Sequence, residues 1–126
     1  MPKFRVLIAD EFVGWRRYVY TKLQGYPEFR VVGEAADGLD AIQKSQELQP
    51  DLILLEVSLP EINGIEVSRR VCGILPATTI LFVSTIDSPK VMREALRASP
   101  CTRGYILKSE AGSDLVPAMK AVTRSR

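Results

Sequence analysis

The sequence of 126 residues contains no histidine. A Ser-His-Asp or Cys-His nucleophile system is therefore excluded, and the commonest zinc ligand is missing.

Cysteine is scarce as well, with only Cys72 and Cys101 present. The two residues do not form a spaced motif of the kind that binds a metal ion. We therefore expect two unpaired, buried or half-buried thiols rather than a disulfide or a metal site.

Long apolar runs are also missing. No segment approaches the ~20 apolar residues that a membrane-spanning helix needs. Met1-Pro2-Lys3 leads directly into a strand-like segment rather than into a signal peptide, so we expect a cytoplasmic location. The net charge of +2 is too small to indicate a nucleic-acid or membrane partner, and its basic residues are scattered apart from Arg16-Arg17 and the tail 124–126. The 46% hydrophobic content predicts an ordinary single globular domain.

Strand-like and helix-like segments alternate five times, which predicts a parallel sheet with helices on both faces. The predicted strands are Phe4–Ala9, Phe29–Ala35, Asp51–Val57, Thr79–Val83 and Gly104–Leu107. The predicted helices follow Asp10, cover 39–48 and 64–72, begin at Ser88-Pro89, and begin near Ser113. The first helix is expected to bury Phe12, Trp15, Val19 and Leu23, which recur at spacings of three and four. Ser88 is predicted to be an N-cap.

Reactive side chains lie at or just after the carboxyl ends of four of the five predicted strands. They are Asp10-Glu11 after the first strand, Glu56 in the third, Ser84 after the fourth and Lys108 after the fifth. In a parallel sheet these four positions would meet at one carboxyl edge, where open α/β sheets build their sites. Carboxylates suit a divalent cation, and a hydroxyl with an ammonium suits phosphate oxygens.

With these residues in view, the chain resembles the receiver domain of bacterial two-component response regulators, from Phe4 to about Val122. The resemblance is carried by the segments 8–11, 50–56, Leu59-Pro60 with Asn63-Gly64, 82–84 and 104–108. Lys108 is followed by Ser109 rather than proline, which is similar to the group that precedes a LuxR-type helix-turn-helix. The resemblance implies a flavodoxin-like, doubly wound fold with strand order 2-1-3-4-5 and five helices.

The resemblance also implies a role for each reactive residue. Glu56 stands at the phospho-acceptor position, where the family has aspartate. Weak Mg²⁺ binding is implied for Asp10, Glu11, Glu56 and the carbonyl of Ser58, a switch for Ser84 and Tyr105, and a counter-ion for Lys108.

Glutamate at position 56 changes the expected chemistry. Its side chain is longer than that of aspartate by one C–C bond, about 1.5 Å, and a misplacement of about 1 Å can lower a rate ~100-fold. We therefore expect Glu56 to resist phosphorylation. The longer carboxylate is also expected to reach Lys108 and Ser84, where phosphate oxygens would lie. Whether it then imitates phosphorylation or is simply inactive stays open at this point.

Two functions from different classes follow. In the first, residues 1–126 form an atypical receiver that is not an enzyme and binds partners independently of phosphorylation. In the second, the receiver still accepts a phosphoryl group and controls a DNA-binding output. The expected partners are a sensor histidine kinase or another signalling protein, a second copy of the chain, and a DNA-binding domain C-terminal to this one, with no membrane partner. A flavodoxin-like cofactor binder is disfavoured, because the loop after the first strand is acidic and lacks a Ser/Thr/Gly phosphate cradle.

Overall fold

The computed structural model describes residues 3–124. The first two residues and part of the basic tail at 124–126 lie outside this range. The strands are β1 (Phe4–Ala9), β2 (Phe29–Ala35), β3 (Leu52–Leu55), β4 (Thr79–Ser84) and β5 (Thr102–Leu107). The helices are α1 (Val13–Leu23), α2 (Gly38–Leu48), α3 (Gly64–Ile74), α4 (Pro89–Arg97) and α5 (Ala111–Thr123). Over this part of the chain, no helix has both the length and the apolar character that crossing a membrane requires.

The five strands form one sheet in the order β2-β1-β3-β4-β5, and every neighbouring pair is parallel. The predicted topology is confirmed. Every residue of β3 and β4 is buried. Such apolar, two-sided burial is typical of the central strands of a sheet that helices cover on both faces.

Alternation along the strands divides the core into two layers. Leu7, Ile53 and Phe82 point to one layer, with residues of α2 and α3. Ile8 and Leu54 point to the other layer, with residues of α1 and α5. Successive side chains of a strand point to opposite faces, so each strand supplies both layers.

The helix starts follow local capping chemistry. The Ser88 side chain accepts a hydrogen bond from the Val91 N–H at 3.3 Å, as the Ser-Pro pair predicted. The Asn63 side chain caps α3 in the same way, by accepting from the Glu66 N–H at 3.1 Å. The fifth helix begins at Ala111, after a 3₁₀ turn over Lys108–Glu110, slightly earlier than the sequence predicted.

The predicted burial of Phe12 is wrong. The first helix begins at Val13, so Phe12 is the N-cap residue and is 58% exposed. Its position fits the helical spacing, but it precedes the helix and has extended backbone, so it does not share the helix face of the other three apolar residues. Val19 and Leu23 are buried as predicted, and Trp15 is half-buried against the same layer.

The prediction of two unpaired thiols is also wrong. Cys72 of α3 and Cys101, just before β5, form a disulfide with their Cα atoms 5.8 Å apart. The two residues are 29 positions apart in sequence, so no local spacing indicates the pairing. The fold brings them together, because α3 and the turn into β5 lie against the same layer of the core. Both residues are buried, as expected.

Candidate functional site

Asp10 is the first residue after β1, and its carboxylate is almost fully buried. Its backbone N–H donates to the carbonyl of Ala35 at 2.9 Å, which extends the pairing with β2. Its Oδ1 accepts a hydrogen bond from the Phe12 N–H at 2.9 Å. Its Oδ2 lies 2.6 Å from the Nζ of Lys108. Both oxygens are therefore directed at specific groups of the chain.

Glu56 directly follows β3 and is 2% exposed. Ala9 of β1 is in register with Leu55 of β3, so the residues that follow them, Asp10 and Glu56, lie side by side. The Glu56 N–H donates to the carbonyl of Ala9 at 3.0 Å. The sheet itself thus fixes the backbone from which this side chain projects.

Each oxygen of the Glu56 carboxylate has two contacts. Its Oε1 accepts from the Ser84 hydroxyl and from the Ser58 N–H at 3.2 Å. Its Oε2 accepts from the Thr85 N–H at 3.3 Å and lies 3.2 Å from the Nζ of Lys108. Because burying a carboxylate is costly unless it is hydrogen-bonded and paired, these four donors explain how the charge is tolerated.

Lys108 follows β5 and bridges the two buried acids. Its side chain is 10% exposed, against 2% for each of the carboxylates that it contacts. Within residues 3–124, Asp10 Oδ2 has no hydrogen bond of good geometry. The Nζ of Lys108 nevertheless lies 2.6 Å from this oxygen, a short separation of the kind that charge-assisted contacts have. Removing the ammonium would leave two buried carboxylates without their shared cation, a change that typically costs about 3–5 kcal/mol.

Two aromatic rings enclose the same ammonium. The Nζ of Lys108 lies 5.3 Å from the centre of the Phe12 ring and 5.0 Å from that of Trp15. Both distances fall within the ~6 Å over which a ring face attracts a cation.

Two of the four predicted metal ligands are buried at the site, and the other two are exposed. Asp10 and Glu56 meet at Lys108, whereas Glu11 and Ser58 are exposed. Over residues 3–124 no group of three or more His, Cys, Asp or Glu side chains could hold a metal ion. The buried carboxylate oxygens suit Mg²⁺ by their chemistry. They already accept from hydroxyl, amide and ammonium groups, so a cation would have to displace Lys108 from Asp10.

A chain of contacts leads from Glu56 to Tyr105. Ser84 donates to Glu56 and accepts from the Ile86 N–H at 3.0 Å, and the Tyr105 hydroxyl donates to the Ile86 carbonyl at 2.7 Å. The Tyr105 ring is half-buried and packs on Phe82, with ring centres 6.0 Å apart. Burial raises the pKa of the Tyr105 hydroxyl, with smaller contributions from the charges of Glu56 and Asp87 and a partial offset from Ser84.

The loop after β3 is held by a close approach of α3. The Gly64 N–H donates to the carbonyl of Val57 at 2.7 Å. A Cβ at position 64 would overlap the carbonyl oxygen of Glu56. Only glycine therefore lets the start of α3 lie against the backbone that carries the carboxylate.

The sequence did not indicate several residues of this site. The amides of Ser58 and Thr85 are backbone donors, for which side-chain identity gives no signal. Arg16 donates to the Asp10 carbonyl at 2.6 Å and to Glu34 at 2.8 Å, and so ties α1 to the end of β1. Phe12 had a visible signal, an aromatic residue directly after the acid pair, but the helical spacing pointed to the core.

The chain spans about half the length of the curated relatives that it matches. It is 33% identical over 122 residues to the uncharacterized transcriptional regulatory protein YxjL of Bacillus subtilis, covering 97% of this chain and 55% of that protein. It is 30% identical to the transcriptional regulatory protein DegU of Brevibacillus brevis, covering 97% of this chain and 51% of the relative.

Solved structures of response regulators are also similar to this chain. A LuxR-family two-component response regulator from Aurantimonas superimposes with a TM-score of 0.91 at 27% identity, over 98% of this chain and 87% of that one. The response regulator domain of Thermotoga maritima CheB gives a TM-score of 0.85 at 27% identity, over 95% and 96% of the two chains. The family description "response regulator receiver domain" matches residues 6–120. The buried acids, the hydroxyl and the lysine at the strand ends thus belong to a chain that is a member of the response regulator receiver family.

Proposed function

We propose that this receiver is an atypical one, which acts in two-component signalling as a regulatory interaction module without phosphorylation at Glu56. One observation carries the proposal. The Glu56 carboxylate itself contacts Ser84, the Thr85 amide and Lys108. In the family these groups surround the phosphoryl group, so the glutamate takes up the contacts that phosphate oxygens would make.

Phosphoryl transfer to Glu56 is disfavoured by the same contacts. An attacking carboxylate oxygen needs a free lone pair aligned with the donor, at a separation of about 3–3.5 Å. Both Glu56 oxygens are directed into the pocket, each toward two donors. Attack would require breaking some of these contacts, and the extra C–C bond would still misplace the oxygen. The domain is accordingly proposed not to act as an enzyme.

The charge of Glu56 is proposed to favour the active arrangement in part. One carboxylate carries one negative charge, whereas a phosphoryl group carries nearly two. Moving an equilibrium from 1:99 to 99:1 takes about 5.5 kcal/mol. The Glu56–Lys108 pair is buried, and the cost of desolvating both charges offsets much of their attraction, so the net contribution of the pair is smaller than this. Self-association or a bound partner, such as a histidine kinase or another signalling protein, must supply the rest.

Mg²⁺ binding is proposed to be weak in this chain. Asp10 and Glu56 carry two formal negative charges against one on Lys108, which leaves an attraction for a further cation. A resident Mg²⁺ would supply neutralisation of that charge. Asp10 and Glu56 are the residues that would hold it, and Glu11 and the carbonyl of Ser58 are the remaining predicted ligands. Competition with the Lys108 ammonium opposes the binding.

The test is incubation with acetyl phosphate and MgCl2, followed by intact mass measurement. The parent is expected to show no phosphoryl adduct. The matched Glu56→Asp variant is expected to gain a hydroxylamine-sensitive adduct, because its shorter carboxylate restores the aligned position. A stoichiometric adduct on the parent would contradict the proposal.

A second candidate is a phosphoryl-accepting receiver that controls a DNA-binding output in the cytoplasm. It is favoured by the relatives, which are named as transcriptional regulators and are about twice as long as this chain. It also fits the convergence of Ser84 and Lys108 on position 56. The acetyl phosphate experiment separates the two candidates.

A further inference from the structure

We propose that Phe12 and Trp15 are positioning residues that hold the Lys108 ammonium on the two buried acids and so disfavour its replacement by Mg²⁺. The inference rests on the proposed function, because it describes how the Glu56 contact is maintained. We call the two rings the aromatic cover.

The aromatic cover completes the surroundings of the ammonium. Carboxylate oxygens of Asp10 and Glu56 lie 2.6 and 3.2 Å from the Nζ of Lys108. The centres of the Phe12 and Trp15 rings lie 5.3 and 5.0 Å from it. Ring faces carry partial negative charge, so they attract a cation that has lost part of its hydration.

The cover is fixed by the same residues that form the site. The Phe12 N–H donates to Asp10 Oδ1 at 2.9 Å, which ties the ring-bearing residue to the acid it covers. The Trp15 N–H donates to the Phe12 carbonyl at 3.1 Å, and the indole packs on Tyr18 with ring centres 5.2 Å apart. The indole of Trp15 is therefore held in place by the helix α1, to which this residue belongs.

Exposure of Phe12 also needs an explanation. The ring is 58% exposed although it is large and apolar, and it does not belong to either layer of the core. It caps no backbone group of α1 through its side chain. The contact with the Lys108 ammonium gives the ring a role at this position.

The cover would act differently on the two cations. An ammonium that has lost part of its hydration can bind a ring face, whereas Mg²⁺ gives up its waters reluctantly and requires octahedral oxygen ligands. The rings stabilise Lys108 and offer nothing to Mg²⁺. Their removal is expected to shift the competition at Asp10 toward the metal ion.

The test compares Phe12→Ala, Phe12→Leu and Phe12→Tyr in the full chain. Leucine keeps apolar bulk without a π face, and tyrosine keeps both. The first readout is the rate at which an amine-acylating reagent modifies Lys108, measured by peptide mass spectrometry against the exposed Lys90 at the start of α4 as an internal reference. We expect alanine and leucine to raise the relative rate about two- to fivefold, since a cation–π contact is worth ~0.5–1 kcal/mol. Tyrosine should match the parent.

The second readout is MgCl2 titration followed by the fluorescence of Trp15, the only tryptophan in the chain. Alanine and leucine should raise the apparent Mg²⁺ affinity by a similar two- to fivefold factor. Leucine behaving like the parent in the acylation rate would overturn the inference, because bulk alone would then explain the protection. An unchanged rate for alanine would overturn it as well. Neither result depends on whether acetyl phosphate modifies Glu56, so failure of the inference can be told from failure of the proposed function.

Discussion

The Tyr105 hydroxyl marks the end of the contacts that begin at Glu56. It donates to the Ile86 carbonyl, and the Ile86 N–H donates in turn to Ser84, the partner of Glu56. Each step is a hydrogen bond, and the groups that form it lie at strand ends or in the short loop after β4. We therefore propose that a change in the carboxylate reaches Tyr105 of β5 along these hydrogen bonds.

Tyr105→Phe tests this contact through its pH dependence. Burial raises the pKa of the hydroxyl above its ordinary value of 10.0 in the folded state. The stability that comes from keeping it protonated is fully present below pH ~10 and is lost as pH rises through the raised pKa. We expect the variant to lose about 1 kcal/mol at pH 7, the typical value of one hydrogen bond.

Urea unfolding of parent and Tyr105→Phe at pH 7 and above pH ~10 provides the measurement. The gap between the two free energies of unfolding should narrow at the higher pH. A gap that stays constant would show that the hydroxyl is not held as a protonated donor.

At the scale of single residues, the sequence indicated which reactive side chains form the site, but it did not indicate all of the contacts that they make. Asp10, Glu56, Ser84 and Lys108 could be predicted to meet, because parallel strands place their carboxyl ends at one edge. The position of Phe12 could not be predicted, because a shift of one residue in the helix start decides whether the ring enters the core or the site.

At the scale of elements, α3 provides two glycines with opposite expected effects. A Cβ at Gly64 would overlap the Glu56 carbonyl oxygen, whereas a Cβ at Gly73 would meet nothing within 4 Å. Gly64→Ala should lower the free energy of unfolding by about 1–3 kcal/mol, as overpacking does. Gly73→Ala should raise it by about 0.5–1 kcal/mol, because alanine restricts the unfolded chain and favours a helix.

Thermal or urea unfolding of Gly64→Ala and Gly73→Ala measures the two changes in the free energy of unfolding, and each variant serves as the control for the other. The Gly64 variant should also weaken the contact between Glu56 and Lys108, since the loop after β3 must move. Equal effects of the two substitutions would contradict the close approach of α3 to the site.

Element types were predictable where one signal dominated. The all-apolar runs of β3 and β4 and the Ser88-Pro89 start of α4 identified those elements. The first two residues of β5, Thr102 and Arg103, were missed because neither is apolar. Thr102 pairs with Ile80 of β4, and Arg103 lies at the register shift that follows this pair.

At the scale of the whole molecule, the Cys72–Cys101 disulfide joins α3 to the start of β5 across a sequence separation of 29 residues. Closing a loop of this size reduces the entropy of the unfolded chain by an amount worth about 3–4 kcal/mol. Dithiothreitol should therefore lower the urea midpoint of the parent. A Cys72→Ser, Cys101→Ser double variant should resemble the reduced parent and should not respond to the reductant.

An unchanged midpoint, with two thiols that react in the unfolded parent before any reduction, would contradict the pairing. The linkage could not be predicted from sequence, because only the packing of α3 against the sheet brings the two Cα atoms within disulfide range.

The helices α4 and α5 and the strand β5 form one surface, the α4–β5–α5 face. The Glu56 charge is proposed to bias this face through Ser84, Ile86 and Tyr105 with no phosphoryl group present. Because the bias is partial, substitution should change the populations of two arrangements rather than unfold either one.

The most direct measurement compares backbone amide NMR spectra of the parent, Glu56→Gln and Glu56→Asp. We expect Glu56→Gln to shift amides along the α4–β5–α5 face, well beyond the residues that touch position 56. Glu56→Asp should shift the same amides and return them toward the parent when beryllofluoride and MgCl2 are added. A Glu56→Gln spectrum that coincides with the parent outside the immediate neighbours of position 56 would contradict the account, because the charge of Glu56 would then have no effect on the face.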